Sequence, residues 1–229
     1  DWYLSRKNGG GTMLPPYRYS KKSSPLVVGE YRGKIDALSG AIDFLQKNRA
    51  EYVVLADGDV IANIPIDEVI QQHIDAENDI TMVVTKKGKE NRLSTYCEMN
   101  RRKEIVDIRV GDSNDSKCKH EALGVYVMSR QYLIHLIADC VTHNCIHFER
   151  ELLTRALTDS KIGGYLFGAY ACKIEDTHQY FKANMDMLDK ETRDEVFLRT
   201  RPIYTRICDE SPAYYGDKAK VEDSLIADG

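Results

Sequence analysis

The fold is decided by a strand–helix–strand stretch that opens with EYVVLADGD at residues 51–59. Its first six residues are rich in β-branched and aromatic side chains, which predicts a strand that ends at two carboxylates separated by Gly58. Residues 65–76 follow with helical periodicity and Pro65 in the first turn, and residues 80–85 form a second apolar run. Alternating strands and helices favour an α/β fold with a largely parallel sheet covered on both faces.

Further elements extend this pattern in both directions along the chain. Apolar residues spaced by three or four predict a helix over 36–46, and residues 96–108 predict a β-hairpin that turns at Arg101-Arg102-Lys103. Later strands are predicted at 122–128 and 163–171, and later helices at 132–138, 148–156 and 177–188. The sequence therefore predicts one α/β domain over residues 1–198.

The sequence changes character after residue 198. Pro202, Pro212 and the paired tyrosines at 214–215 break any helical period, and residues 219–229 match one coil of a hexapeptide β-helix. We expect residues 199–229 to form a linker and the start of such a domain. Because the chain begins at Asp1 and stops within this pattern, we expect it to be part of a longer protein.

Composition argues against several classes of function. The 229 residues carry 32 Lys and Arg against 36 Asp and Glu, a net charge of −4 without a long basic stretch, so nucleic acid is not an expected partner. No apolar run approaches the roughly 20 residues that cross a bilayer, and no signal segment opens the chain, so we expect a cytoplasmic protein without a membrane partner. Six cysteines without a C-x-x-C pair indicate reduced thiols.

Asp57-Gly58-Asp59 is the strongest candidate site in the sequence. It follows a predicted strand, where open α/β sheets gather ligands, and its carboxylates can offer oxygen ligands to Mg²⁺, which in turn bridges phosphates. A solvated Asp-Gly turn explains the same residues without a ligand. Both interpretations stay open on the residues alone.

Three other groups are weaker candidates. Gly9-Gly10-Gly11 has no helix start after it, which favours a flexible turn over a phosphate loop. Two thiols and two imidazoles, which are zinc-ligand types, lie within eight residues: Cys140, His143, Cys145 and His147. Their spacing matches no familiar zinc motif, so buried thiols in a helical connection are favoured over a zinc site. Basic residues on two loops could be solvated surface or hold a sugar phosphate or anionic effector: Lys86, Lys87, Lys89 and Arg92, and then Arg101, Arg102 and Lys103.

Several stretches together resemble the glucose-1-phosphate adenylyltransferases, also called ADP-glucose pyrophosphorylases. Residues 30–37, EYRGKIDA, resemble the family segment Trp-Tyr-Arg-Gly-Thr-Ala-Asp-Ala, and residues 52–60 resemble the family strand that ends in Gly-Asp. Residues 180–186, YFKANMD, are similar to the family helix Tyr-Tyr-Glu-Ala-Asn-Met-Asp. The tail from Pro202 to Gly229 is similar to the start of the family's left-handed β-helix.

The resemblance implies a Rossmann-like, GT-A-like nucleotidyltransferase domain with a mixed, mainly parallel sheet, followed by the left-handed parallel β-helix. It implies the Mg²⁺-dependent reaction of ATP with glucose 1-phosphate to ADP-glucose and pyrophosphate, the committed step of bacterial glycogen synthesis. The site residues that it implies are Tyr31, Arg32 and Gly33 near the nucleotide, Gly58 and Gly124 at the substrate, and Asp59 as the catalytic, metal-holding carboxylate.

Departures from the family pattern fall on positions expected to bind substrate and metal. Gly111 stands near the Lys position of a Phe-x-Glu-Lys-Pro strand, and Ala122 replaces the Ser of Ser-Met-Gly-Ile-Tyr. The segment His-Asp-Phe-Gly becomes Ile146-His147-Phe148-Glu149. Counted back from Ala183, Lys173 stands where Trp-Arg-Asp-Val-Gly-Thr supplies a second metal-binding Asp, and an ammonium there would repel Mg²⁺.

A chain that retains the family's fold segments but differs at several substrate and metal positions resembles the GlgD-type subunit. That subunit accompanies a catalytic GlgC-type subunit. The resemblance implies a regulatory or weakly active subunit in a hetero-tetramer, with a vestigial or partial role for Asp59 and with ATP, ADP-glucose and glucose 1-phosphate as possible ligands. The alternatives are a competent adenylyltransferase with Glu175 or Asp176 as second metal ligand, a non-catalytic ligand-sensing or scaffold subunit, and a glycosyltransferase.

Overall fold

The structure, a computed structural model, describes residues 31–88, 93–111, 118–203 and 216–222. The chain forms two compact units, of which the larger holds the described residues of 31–58 and 65–168, and the smaller holds residues 59–64 and those from 169 onward. Most of the predicted β-helix coil and the Gly9-Gly10-Gly11 turn lie outside the described residues. The predicted domain boundary after residue 198 stays a prediction.

Groups of strands follow groups of helices along the described chain. The strands are β1 Tyr52–Ala56, β2 Val60–Ala62, β3 Ile80–Lys86, β4 Ser94–Met99, β5 Ile105–Gly111, β6 His120–Ser129, β7 Ile162–Leu166 and β8 Ala171–Lys173. The helices are α1 Lys34–Gly40, α2 Ile42–Lys47, α3 Ile66–Asp75, α4 Arg130–Thr142, α5 Thr154–Asp159, α6 Thr177–Asp186 and α7 Lys190–Val196, and a π-helical turn, Phe148–Leu153, precedes α5.

Strand β6 is the centre of the sheet in the larger unit. Along one edge it pairs antiparallel with β3. Along its other edge, its first residues pair with β4, and its last residues, from Val125 to Ser129, pair with β1. Beyond these neighbours, β5 pairs antiparallel with β4, and β7 pairs parallel with β3.

The α/β class and the mixed sheet of a Rossmann-like nucleotidyltransferase domain are confirmed, but the expectation of a mainly parallel sheet is wrong. Within the described residues, β3 with β7 is the one parallel pairing in this sheet. The strands β1 and β3 run in the same direction, as expected for a strand–helix–strand unit, yet β6 lies between them and runs in the opposite direction. The hairpin of β4 and β5 adds a further antiparallel pair.

The core of the larger unit forms around the two central strands. Residues 80–84 of β3 and residues 121–128 of β6 are buried at every position, which is typical of strands that are covered on both faces. Helix α4 begins after Ser129, whose hydroxyl oxygen accepts a hydrogen bond from the Tyr132 N–H, and it buries Leu133 and Ile137 one turn apart. Helix α4 packs against α1, α2 and β1.

The smaller unit is built on a two-stranded ribbon of β2 and β8. Asn63, directly after β2, is buried, and its side-chain N–H groups donate to the backbone oxygens of Val196 and Arg201 at 2.7 and 2.8 Å. The Arg201 guanidinium in turn donates to the Asn63 side-chain oxygen at 2.6 Å. These bonds tie the segment after α7 to the ribbon. Across the described ranges, every helix is too short or too polar to cross a membrane.

Candidate functional site

Strand β1 ends against an irregularity in β6, and this junction places the Asp57 side chain. In the pairing of β3 with β6, Val83 is opposite Val125 but Val84 is opposite Ala122, so β6 carries extra residues at this point. One of them, Gly124, has φ +68°, and its carbonyl oxygen accepts a hydrogen bond from the Asp57 N–H at 3.1 Å. A Cβ at Gly124 would lie 2.2 Å from Asp57 Oδ2. Only glycine therefore leaves room for the carboxylate.

A cluster of charged side chains forms around Asp57. The ammonium of Lys34, at the first position of α1, donates to Asp57 Oδ2 at 2.7 Å and also to Glu149 Oε1 in the π-helical turn. The Tyr126 hydroxyl of β6 donates to the same Glu149 oxygen at 3.4 Å. The exposed fractions of the Lys34, Asp57 and Glu149 side chains are 40%, 18% and 19%. We call Lys34, Asp57, Tyr126 and Glu149 the Lys34 cluster.

Close backbone packing brings α1 to Glu149. Gly33 precedes α1, and a Cβ there would lie 2.5 Å from the Ile146 carbonyl oxygen. The segment that Gly33 approaches is held in place by Glu151, whose carboxylate accepts the Ile146 and His147 N–H groups at 2.6 and 2.7 Å. These two backbone bonds lower the pKa of Glu151. Gly33 and Gly124 thus allow the approaches that assemble the Lys34 cluster.

Burial and pairing act in opposite directions on the Lys34 cluster. Burial lowers the pKa of the Lys34 ammonium, but its hydrogen bonds and charge attraction to Asp57 and Glu149 outweigh burial and raise the pKa above its ordinary value. Burial, and then the negative charge of Glu149, raise the pKa of the Tyr126 hydroxyl well above its usual range. Around neutral pH, Lys34 is therefore a cation and Tyr126 a neutral hydrogen-bond donor.

A cavity of about 170 Å³ adjoins the cluster. One end is charged, and the rest of its wall is largely aliphatic and aromatic. The lining residues are Lys34, Ala37, Leu38, Leu55, Ala56, Asp57, Tyr126 and Phe148. The Tyr126 and Phe148 rings lie 5.1 Å apart, centroid to centroid.

The larger unit holds five of the site residues that the family resemblance implies. Gly33 and Gly124 lie at the Lys34 cluster, where each has a packing reason to be glycine. Arg32 is exposed, and its guanidinium forms an ion pair with Asp36 of α1 at 2.8 Å. Tyr31 directly precedes Arg32 in the chain. Gly58 directly follows Asp57, and a Cβ at Gly58 would have no described atom within 4 Å. Their binding roles stay predictions.

Asp59 lies in the smaller unit, beside the ribbon of β2 and β8. Lys173 on β8 is opposite Val60 on β2, and the Ile174 N–H donates to the Asp59 carbonyl oxygen at 2.7 Å. Strand pairing therefore extends to Asp59, and a lysine stands on the neighbouring strand. The Lys173 ammonium lies 3.5 Å from Glu175 Oε1.

The described residues do not form a Mg²⁺ site by themselves. No group of three Asp, Glu, His or Cys side chains in the described ranges could hold a metal ion. Asp59 Oδ1 is buried without a hydrogen-bond partner in this part of the chain, whereas Asp176 Oδ1 caps α6 by accepting from the Gln179 N–H at 2.8 Å. One such oxygen does not satisfy a cation that prefers octahedral coordination by oxygen, so phosphates and water would have to supply the other ligands.

The weaker sequence candidates fall in other places. Cys140 and Cys145 are buried, whereas His143 and His147 are exposed, and burial raises the pKa of the Cys140 thiol to about 12. The second basic cluster lies in the turn between β4 and β5, and Arg102 and Lys103 line a polar cavity of about 490 Å³ together with Lys161 and the acidic residues Asp75, Glu77 and Glu104. Lys86 and Lys87 lie at the end of β3, while Lys89 and Arg92 lie outside the described residues.

Sequence reasoning alone did not find Lys34 and Glu149. They are 115 positions apart in the chain, and no local motif connects them. A signal was nevertheless present in the segments that resemble the family. Lys34 stands where Trp-Tyr-Arg-Gly-Thr-Ala-Asp-Ala has Thr, and Glu149 stands where His-Asp-Phe-Gly has Gly. The ion pair thus joins two departures from the quoted pattern.

Comparison with known proteins agrees with that resemblance. No protein-family model matches the chain. The chain is 27% identical over 234 aligned residues to the glucose-1-phosphate adenylyltransferase of Geobacillus stearothermophilus, 28% identical to that of Bacillus mycoides and 26% identical to that of Bacillus subtilis. Each alignment covers all of this chain and 58–60% of the relative.

The chain thus spans about 60% of the length of the curated relatives that it matches. Identity of 26–28% extends over the full chain and includes both compact units. These matches do not distinguish a GlgD-type subunit from a catalytic one, so the GlgD-type assignment stays a prediction. Along its whole length, the chain is similar to the glucose-1-phosphate adenylyltransferases, in agreement with the resemblance of its sequence motifs.

Proposed function

We propose that the protein is a GlgD-type, regulatory or weakly active subunit of glucose-1-phosphate adenylyltransferase in bacterial glycogen biosynthesis. The assembly would be a cytoplasmic hetero-tetramer with a catalytic GlgC-type subunit, which converts ATP and glucose 1-phosphate to ADP-glucose and pyrophosphate. Relatives named for this activity cover the whole chain, which supports the reaction class. The reduced activity is inferred from the residues around Asp59.

Lys173 is the observation that carries the proposal. It stands on the strand next to Asp59, where the family resemblance implies a second metal-binding carboxylate. Where the family pattern has a metal-binding Asp, Lys173 supplies a positive charge and no ligand oxygen. Without that second carboxylate, we expect Asp59 to hold a divalent cation only weakly.

The two carboxylates that could replace the missing ligand already have other partners. Glu175 forms the ion pair with Lys173, and Asp176 caps the first turn of α6. Recruiting Glu175 to a metal would separate it from the lysine, and recruiting Asp176 would leave the Gln179 N–H without its cap, at a cost of about 1 kcal/mol. These contacts favour the impaired subunit over a competent adenylyltransferase.

Mg²⁺, ATP, ADP-glucose and glucose 1-phosphate are proposed ligands of the assembly. When bound with nucleotide, Mg²⁺ would offset the negative charge of the phosphates. The residues of this chain that we propose at the ligands are Tyr31, Arg32, Gly33, Gly58, Gly124 and Asp59.

Co-purification with the GlgC-type subunit of the same organism tests the regulatory role. We expect the two full-length proteins to elute together as a hetero-tetramer, and the mixed assembly to differ from GlgC alone in the effector or substrate concentration that gives half-maximal rate. Separate elution, or identical kinetics of GlgC with and without this protein, would contradict the proposal.

Calorimetry distinguishes the remaining alternative of a sensing subunit from a scaffold. Heat on addition of ATP or glucose 1-phosphate to the full-length protein, without pyrophosphate release, would indicate ligand sensing. Absence of heat would indicate a scaffold subunit.

A further inference from the structure

The Lys34 cluster joins three parts of the larger unit that are distant in sequence. Lys34 begins α1, Asp57 follows β1, and Glu149 lies in the π-helical turn. One ammonium is bound by a carboxylate from each of the other two parts. We propose that this pocket is a binding site for a primary alkylammonium ion, which the chain occupies with its own Lys34.

The pocket has a separate place for each half of such an ion. Its charged end offers Asp57 Oδ2 and Glu149 Oε1 to the N–H donors of an ammonium. Its wall includes Leu38, Leu55 and Phe148, which suit an alkyl chain, and about 170 Å³ of open volume adjoins them. Apolar walls with a few placed polar groups are typical of small-molecule sites.

The charge balance requires an occupying cation. Asp57 and Glu149 direct oxygens at the same nitrogen, so their carboxylates lie close together and repel each other when the ammonium is absent. Tyr126 supplies a neutral hydrogen bond to Glu149 but no compensating charge. Counted with Lys34, the cluster has a net charge of −1, so without the ammonium it would carry two unbalanced negative charges.

The sequence supports treating Lys34 and Glu149 as one unit. The family segments that these stretches resemble have Thr and Gly at the two positions, so this chain differs from the quoted pattern at both ends of the ion pair. A lysine without Glu149 would keep one carboxylate partner, and Glu149 without the lysine would face Asp57 unpaired. Each departure therefore has a physical reason in the other.

Chemical rescue of Lys34→Ala tests the site in the full-length protein. The substitution removes three methylene groups and the amine, which n-propylammonium replaces. At ten times its dissociation constant, we expect this ion to raise the Tm of the variant by about 3–6 °C more than NaCl at equal ionic strength. Wild type, in which Lys34 fills the site, should show no such difference.

The double variant Lys34→Ala/Glu149→Gln is the matched control. It lacks one of the two carboxylates, and we expect it to lose most of the response to n-propylammonium. An equal Tm shift in Lys34→Ala with n-propylammonium and NaCl, or an equal response of wild type, would overturn the proposal.

A measurement on wild type covers the case in which Lys34→Ala does not fold. Amine acylation followed by peptide mass spectrometry compares Lys34 with the exposed Lys47 of α2. An ammonium held by two carboxylates reacts slowly, and we expect Lys34 to be labelled at least about tenfold more slowly than Lys47, which corresponds to about 1.4 kcal/mol of protection. Equal labelling rates would show that Lys34 does not occupy the site.

Discussion

Replacing Gly124 by alanine tests whether a glycine is what permits Asp57 to enter the Lys34 cluster. The new Cβ would lie 2.2 Å from Asp57 Oδ2 and 2.7 Å from its carboxyl carbon, so the carboxylate has to move. The φ of +68° adds a second penalty, because left-handed backbone costs an L-residue about 1–2 kcal/mol.

The expected magnitude combines this backbone penalty with two effects of the clash. Overpacking costs about 1–3 kcal/mol, and displacing Asp57 weakens its partly exposed ion pair with Lys34 by up to about 1 kcal/mol. We therefore expect Gly124→Ala to lower the free energy of unfolding by about 3 kcal/mol. For a chain of this length, that corresponds to a drop in Tm of about 6–12 °C.

The assay is urea unfolding of both variants at neutral pH, with Gly58→Ala as the control. Gly58 has open space around its Cβ position and no left-handed φ, so alanine there should change the free energy of unfolding by no more than about 0.5 kcal/mol. Adding Asp57→Ala to Gly124→Ala should relieve the clash and leave mainly the backbone penalty. If Gly124→Ala unfolds at the same urea concentration as Gly58→Ala, the packing of Asp57 against Gly124 is refuted.

Three further predictions concern other contacts. Gly33→Ala would set a Cβ 2.5 Å from the Ile146 carbonyl oxygen and should lower the free energy of unfolding by about 1–3 kcal/mol in the same urea assay. An unchanged urea midpoint would contradict the close approach of α1 to Ile146. Burial lowers the pKa of His73, so the unfolded chain takes up a proton more readily, and stability should fall as pH drops below the ordinary histidine value of about 6.5. Thermal unfolding between pH 7 and 5 should show a flatter profile for His73→Asn, by at most about 1.4 kcal/mol per pH unit, and equal slopes would contradict this. Lys173→Asp should strengthen Mn²⁺ binding to the full-length protein by at least about tenfold, or about 1.4 kcal/mol, in an electron paramagnetic resonance titration. The control Lys190→Asp, at an exposed position of α7, should leave the Mn²⁺ affinity unchanged. Equal Mn²⁺ affinities of the two variants would exclude a role for Lys173 at the cation.

Local patterns in the sequence predict the elements of the fold well. Apolar periodicity predicts α3 and the strand β3, and the basic turn between β4 and β5 identifies the hairpin. The order of strands is less accessible, because β6 inserts between β1 and β3 from more than 30 residues further along the chain. The insertion of β6 makes its pairings with β1 and β3 antiparallel, and the local spacing of apolar residues does not predict it.

The candidate site also has one part that the sequence predicts and one part that it does not. Counting along motifs predicts Lys173 as a departure, and the structure puts it on the strand beside Asp59. The ion pair of Lys34 with Glu149 depends on two tight backbone approaches, at Gly33 and Gly124, and on the path of three segments. Such a contact becomes visible only when the fold brings the segments together, although each residue differs from the family segment that it resembles.

Turnover by the full-length protein alone tests the proposed function most directly. Pyrophosphate release is measured with saturating ATP, glucose 1-phosphate and Mg²⁺, in the absence of a GlgC-type subunit. Because Lys173 takes the place of the second metal-binding Asp of the family pattern, we expect less than about one turnover per second. A rate within the ordinary enzyme range, roughly 1 to 10³ per second, would contradict an impaired subunit and establish a competent adenylyltransferase.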